Sequence, residues 1–374
     1  MKKQISTFFG LFTLSGVSVL ALLFMSFHSQ NLYAEKGSSP IYQDPFDVAA
    51  GGASLTRASQ AGIIFSNPSL LSFGNGFHRW IGTEPTIIAG KDGIDLARSL
   101  SNGVDTSDPT ALVDKLLKTP VYAGTQVATT YANYLFGVSI INRIEIDLKT
   151  RKYGQFGLPD ILLRGESYQG AGVGVSKFLL GEWLSIGATG KYLLASEPNI
   201  KIDITDQDSL QQLSSPDFLK SQFEHNRGIG LDVGTTALFA GEYVDTMIAA
   251  KVDDFGTTKL QGGGTLKSLP QAVHAGFSLL FHNSKDSIVF SVDYRDITRA
   301  YDEPNHKRFQ LGTKVLLRKI VGVAAGYYDG RLSYGAEVDL FLLRLTATQY
   351  TRELAESPGV DSRPIYMLGL AVGF

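Results

Sequence analysis

The chain has 374 residues, 44% of them apolar and 19% charged, which is enough to close a large core and excludes a disordered or mini-domain reading. A net charge of -2 leaves no basic surplus for neutralising phosphates, so nucleic acid is not expected as a partner. The absence of cysteine excludes disulfides, thiolate metal sites and thiol chemistry, while 40 glycines, 22 phenylalanines and 16 tyrosines favour strands and turns.

Lys2 and Lys3 precede an uncharged run from Ile5 to Phe27, followed by His28-Ser29-Gln30-Asn31 and Leu32-Tyr33-Ala34. A positive start, an apolar stretch and a small residue at the boundary predict a signal peptide over 1–34, cleaved after Ala34. An uncleaved anchor is the competing reading, because the run is long enough to span a bilayer. Gly10, Ser15, Gly16 and Ser18 dilute it and favour cleavage.

From Asp44 to Leu71 small residues surround one Asn67-Pro68 turn, in which asparagine bonds its own backbone and proline fixes φ. Beyond residue 76 the pattern changes to strict alternation. Phe136, Val138, Ile140, Ile144, Ile146 and Leu148 share one face, and Gly137, Ser139, Arg143, Glu145 and Asp147 the other. The same pattern recurs around 229–239, 287–295 and 332–340. No later window holds eighteen apolar residues, so no helical span is expected.

Candidate strands fall at 77–90, 120–131, 133–147, 161–179, 183–196, 226–239, 242–253, 271–282, 285–298, 306–318, 319–328, 331–342, 343–353 and 363–374. Each is long enough to cross a membrane when tilted. Connections at Ala132-Asn133, Gly181-Glu182, Ala240-Gly241, Asn283-Ser284, Arg318-Lys319 and Leu342-Leu343 are short. The long ones, around 91–119, 148–160, 197–225, 254–270, 299–305 and 354–362, all reach the opposite rim, where only Asp329-Gly330 is short. An even strand number with loops sorted by length predicts an all-β fold: a 14-stranded antiparallel transmembrane β-barrel in the outer membrane. A spanning sheet cannot leave its edges unpaired in hydrocarbon, so it must close. Arg143, Asp232, Lys251, Asp293, Arg295, Lys314, Glu337, Asp339 and Arg344 are expected to point inward, because lipid-facing Lys or Arg costs roughly 2–4 kcal/mol near the midplane.

The last strand carries Tyr366, Leu368, Leu370, Val372 and the terminal Phe374 on one face. It resembles the C-terminal signal by which barrel-assembly machinery recognises bacterial outer-membrane proteins, which makes that machinery an expected partner through Phe374. The segment Asp44 to Leu71, with Asn67-Pro68 and Ser69 where alanine is usual, resembles the N-terminal plug of the FadL superfamily of outer-membrane transporters, especially its PorV-like and UPF0164-type branches. Asp253 to Lys259, Leu269-Pro270-Gln271 and the hairpins from Asp293 to Phe374 extend the likeness over most of the mature chain.

The resemblance implies a plug over 35–76, a barrel over 77–374, and uptake of long-chain fatty acids or other hydrophobic compounds from the lipid of the outer membrane. The PorV-like alternative is an adaptor in protein secretion and surface attachment, with secreted proteins as partners. Asn67, Pro68 and Ser69 would then form the plug's gate, and a monomer is expected.

Inward charges read first as a lumen salt-bridge network, with Asp293 and Arg295 beside Arg308 and Lys314, and Glu337 and Asp339 beside Arg344. For a carboxylate ligand, Arg295, Lys314 and Arg344 are the candidate head-group residues. Residues 93–118 and 206–223 carry helical spacing, with Asp108-Pro109 and Ser215-Pro216 at their starts. Leu112, Leu116, Phe218 and Leu219 are candidate capture-loop residues. No enzyme is expected: Gly170 to Gly174 lies within a strand, no Gly-x-Ser-x-Gly occurs, and the six histidines show no metal-ligand spacing. No cofactor or metal is implied.

Overall fold

The computed structural model describes residues 40–59, 61–76, 79–95, 120–151, 160–203, 224–283, 285–301, 303–353 and 362–373. Strands β1 (Arg79–Gly90), β2 (Val121–Asn133), β3 (Phe136–Arg151), β4 (Asp160–Leu180) and β5 (Leu184–Ser196) follow one another as antiparallel neighbours. After a break, β6 (Asn199–Asp203) continues along β4. Next come β7 (Asn226–Phe239), β8 (Val244–Asp253), a small hairpin of β9 (Thr258–Lys259) and β10 (Ser268–Leu269), then β11 (Ala272–His282) and β12 (Ser287–Tyr294). The wall is completed by β13 (Phe309–Leu317), β14 (Val321–Tyr328), β15 (Arg331–Asp339), β16 (Leu343–Glu353) and β17 (Ser362–Gly373). β17 pairs with β1, Gly82 opposite Gly373, so the sheet closes into a 14-stranded barrel and leaves no edge.

The expected parity holds. On β3, Val138 and Ile140 face out, while Ser139, Ile141, Arg143 and Glu145 are buried inside. Ile229, Ile248 and Leu368 continue the outer apolar belt, each more than half exposed. A belt of this kind is stable only against hydrocarbon, and the barrel is built for a bacterial outer membrane.

Several boundaries differ from expectation: β3 runs on to Arg151 rather than 147 and β15 stops at Asp339 rather than 342, and three further changes redirect the chain. The first short turn is Tyr134-Leu135 rather than Ala132-Asn133, because the Asn133 side chain accepts from the Leu135 and Phe136 amides at 2.8 and 2.9 Å and defers the reversal. β12 ends at Tyr294 rather than 298, and with β14 has only 8 residues. There the chain leaves the wall at Asp296, whose φ of 46° breaks the strand and whose carboxylate accepts from the Ala300 and Tyr301 amides. Residues 305–308 form a helical turn instead of beginning a strand.

Inside the barrel lies the segment 40–76, with short helices at Pro45–Ala49 and Ile63–Ser66 and a 3-10 stretch over Pro68–Gly76. Asp44 caps the first helix, its Oδ1 accepting from the Phe46 and Asp47 amides at 2.9 Å. Ile63, Ile64, Leu70 and Leu71 are almost fully buried, in one cluster with Ala128, Ala132, Ile141 and Met247 of the wall. Gly51 and Gly52 turn the chain at φ of 73° and 76°, and a Cβ on Gly51 would overlap the Leu311 carbonyl.

Candidate functional site: the plug seat and the lumen cavity

A segment crossing a barrel without joining its ladder has backbone groups that need partners. The wall supplies them with side chains. Thr130 Oγ1 donates to the Ala61 carbonyl and Thr189 Oγ1 to that of Ile64, both at 2.8 Å, and Thr348 Oγ1 donates to that of Pro45 at 2.6 Å. Lys251 Nζ donates to the Phe65 carbonyl. Gln126 and Gln43 exchange a reciprocal pair, the Gln43 amide donating to Gln126 Oε1 at 2.9 Å and Gln126 Nε2 to the Gln43 carbonyl at 2.8 Å. Asp293 Oδ2 accepts from the Ser54 and Leu55 amides at 2.7 and 2.9 Å.

Asn67, Pro68 and Ser69 lie together against β5 and β7. Asn67 is wholly buried, and its Nδ2 donates to the Leu55 carbonyl at 2.8 Å and to Thr236 Oγ1 at 3.0 Å. Its Oδ1 accepts from the Ser69 amide at 3.2 Å and from Ser69 Oγ at 2.7 Å. The serine in place of alanine therefore adds hydroxyl contacts, including one of 2.7 Å to Thr236 Oγ1. The wall comes this close because Gly187 and Gly234 face the turn: a Cβ on Gly187 would sit 2.5 Å from the Pro68 carbonyl carbon, and one on Gly234 would overlap Asn67 Oδ1.

The three candidate head-group residues are each engaged with the inner segment. Arg295 Nη2 donates to the Gly52 carbonyl at 2.8 Å. Lys314 pairs with Asp47 and lies over the Phe46 ring. Arg344 reaches Glu84 of β1 at 2.9 Å and Asp44 at 3.4 Å. For Lys314 the partner on a neighbouring strand expected from the sequence is replaced by Asp47 of the plug, whereas Arg344 lies nearer Glu84 of the wall than Asp44, and neutralisation between neighbouring strands does occur at Lys191 with Asp232 and Arg143 with Glu166. Arg308 donates to the Asp296 carbonyl and to Asn305, serving the loop. Leu112, Leu116, Phe218 and Leu219 lie outside the described residues; of the 93–118 segment only 93–95 is described, and it is helical.

Beside the plug, toward the long-loop rim, is a cavity of 340 Å³. Its wall is ionic. Arg352 bridges Glu145 and Glu166, both at 2.8 Å, with Tyr122 donating to Glu145; Arg143 stands behind them. Lys191 bridges Asp232 at 2.7 Å and Asp254 at 3.0 Å, and Lys251 pairs with Asp253, which also holds His274 at 3.0 Å. Asp254 sits in the loop after β8, and burial, only partly opposed by Lys191, pushes its carboxyl up to about 6. The β9–β10 hairpin folds over this side, packing Leu260, Leu266 and Leu269 on Tyr168, Leu193 and Ala195.

Sequence reasoning passed over Gln43, Gln126 and Tyr122. Gln126 and Tyr122 share the inward parity of β2, a usable signal, whereas Gln43 has no periodic neighbour to mark it. Among the described residues no group of His, Asp and Glu is arranged to hold a metal.

No protein-family profile and no curated protein sequence matches the chain. Solved structures do. The Ralstonia pickettii toluene transporter TbuX superposes with a TM-score of 0.50 at 13% identity, over 90% of this chain and 99% of that one. The Pseudomonas putida toluene transporter TodX gives 0.47 at 10% identity, over 92% and 99%, and the CymD monoaromatic hydrocarbon channel 0.47 at 11%, over 92% and 98%. By fold, the chain is a 14-stranded barrel that resembles hydrocarbon channels of the FadL family.

Proposed function

We propose that this protein is an outer-membrane channel for uptake of long-chain fatty acids or other hydrophobic compounds, exported by a signal peptide over 1–34 and gated by the segment 35–76. The observation that carries the reading is a barrel of the toluene-transporter fold whose lumen holds its own N-terminal segment, seated on the wall by side-chain hydrogen bonds. Asn67, Pro68 and Ser69 act as the hinge of that gate. Capture falls to the loops 93–118 and 206–223, through Leu112, Leu116, Phe218 and Leu219, and Phe374 addresses the chain to the assembly machinery. The protein works as a monomer in outer-membrane lipid.

The PorV-like reading, a secretion adaptor, draws its support from the plug seat: Asn67 uses both donors and accepts twice, as suits a barrel that stays shut. One experiment separates the two. Labelled long-chain fatty acid is supplied to cells lacking their own fatty-acid channel, with and without this protein, after its folding and outer-membrane location are verified. Uptake that is restored by wild type and lost on shortening 93–118 supports the channel. A folded barrel without uptake, which brings secreted proteins with it under mild extraction, supports the adaptor.

A further inference from the structure

The barrel wall is not equally tall all round. β12, β13, β14 and β15 have 8 or 9 residues each, against 16 in β3 and 21 in β4. Eight residues tilted by about 40° rise roughly 20 Å, short of the apolar band of about 25 Å that outer-membrane barrels present. Where a wall is lower than the bilayer, the lipid comes down to the turns at its edge.

The turns at the short-loop rim of this low side are apolar where they would meet it. Leu317, Val321, Val338 and Leu345 are exposed and stand in register as one outward row across β13 to β16. Below that row the belt has no polar border: Leu340 and Leu342 are at least half exposed, and Phe341 at the tip is 89% exposed. The tip is nonetheless fixed. The Phe341 amide donates to Asp339 Oδ1 at 2.9 Å and the Leu340 amide to the Leu343 carbonyl at 2.8 Å. The Asp339 amide donates to the Ile320 carbonyl at 2.7 Å, which ties this turn to the next one, Leu317-Arg318-Lys319-Ile320.

Arg318, Lys319 and Phe341 have φ of 52°, 57° and 72°, a region that glycine and asparagine enter at least cost. Two long cations and a phenylalanine hold it here. Both cations are exposed, and neither side chain has a carboxylate partner among the described residues. The acids of the adjoining turns serve the backbone: Asp286 Oδ1 accepts from the Arg318 amide at 2.9 Å, and Asp339 from Phe341. Lys285, exposed beside Asp286, adds a third cation. The two linked turns thus set an apolar wedge, continuous with the lipid-facing belt, beside positive charge that the protein does not neutralise. A molecule with acyl chains and a negative head matches both features, and a free anion matches only the second.

We propose that the β13–β14 and β15–β16 turns bind an anionic phospholipid of the periplasmic leaflet, with Arg318 and Lys319 holding its headgroup phosphate and Phe341 lying among its acyl chains. The site is on the outer periphery of the wall, so it is independent of whether the barrel carries hydrophobic compounds or hands on secreted proteins.

The test is fluorescence quenching of full-length Phe341→Trp protein folded into dioleoylphosphatidylcholine vesicles that contain a minor fraction of one brominated lipid, either phosphatidylglycerol or phosphatidylcholine. Bromine quenches an indole only at contact, and the quenching of wild-type protein, which comes from Trp80 and Trp183, is subtracted. One cation near an anionic headgroup strengthens association about five-fold, so phosphatidylglycerol is expected to associate with the tip at least about five-fold more strongly than phosphatidylcholine in low salt. The preference should fall below about two-fold in about 1 M salt. Arg318→Gln with Lys319→Gln should abolish it equally, while Arg318→Lys with Lys319→Arg keeps it. Equal quenching by the two lipids in low salt overturns the inference, and so does a preference that survives high salt, a measurement that needs no charge variant to fold. Quenching by neither lipid places the tip in water, open to a periplasmic protein, and also overturns it.

Discussion

Replacing Asn67 with alanine is the sharpest perturbation of the plug. In the folded protein its side chain donates to the Leu55 carbonyl and Thr236 Oγ1 and accepts from the amide and hydroxyl of Ser69, with no solvent exposure. Truncation leaves Thr236 and Ser69 bonded to each other, but strips the Leu55 carbonyl and the Ser69 amide of these partners in a dry site. At about 1–3 kcal/mol for each of the two orphaned groups, the seated plug loses about 2–6 kcal/mol. The released population then rises roughly 30- to 20,000-fold, since 1.4 kcal/mol is a factor of ten. Amide hydrogen exchange over 54–70 in nanodiscs reads that population directly, with β13–β16 as the internal reference. Exchange within about three-fold of wild type over 54–70 would refute the idea that Asn67 holds the plug.

Gly234→Ala attacks the same contact from the wall, because its Cβ would overlap Asn67 Oδ1; the same segment should exchange faster, and unchanged protection would show that the wall gives way instead. Ile248→Lys, in mid-β8 on the lipid face, should destabilise the barrel by roughly 2–4 kcal/mol in urea titrations from bilayers, and a shift below about 0.5 kcal/mol would place that face away from lipid. For Asp254, a carboxyl raised to about 6 from 3.8 takes up a proton more readily in the folded chain, so its stabilisation is complete below pH 3.8 and lost as pH rises through about 6. Asp254→Asn should therefore gain on wild type in thermal melts between pH 4 and 7, by at most about 3 kcal/mol; a difference constant with pH would contradict the burial argument.

The wall was legible because membrane strands obey a period of two on both faces, and β5, β7 and β16 begin and end within a residue of where alternation places them. Boundaries failed where a single side chain redirected the backbone, as Asn133 and Asp296 do. Parity told that Lys314 and Arg344 point inward, yet it holds no information about what meets them there. Asp44 and Asp47 belong to a segment without periodicity, and a partner some 300 residues away leaves no local trace. The β9–β10 hairpin was hidden for a related reason: with two residues per strand it has no period to detect, and it is held by Leu260, Leu266 and Leu269 packing on the wall.

The position of Arg344 bears on how the barrel is made. It stands on β16 and grasps Glu84 of β1, so it reaches across β17 and over the line where the two ends of the sheet meet. Asp44 joins the same cluster, Pro45 accepts from Thr348, and Pro45 packs where a Cβ on Gly369 would lie, 2.9 Å from its Cγ. The N-terminal segment is thus sewn over the seam. Bringing Gly82 to Gly373 is the most distant pairing in the chain and among the slowest to find by search. A segment that binds both lips at once shortens that search. The stopper of the finished pore would be, during synthesis, the template on which the last strand finds the first.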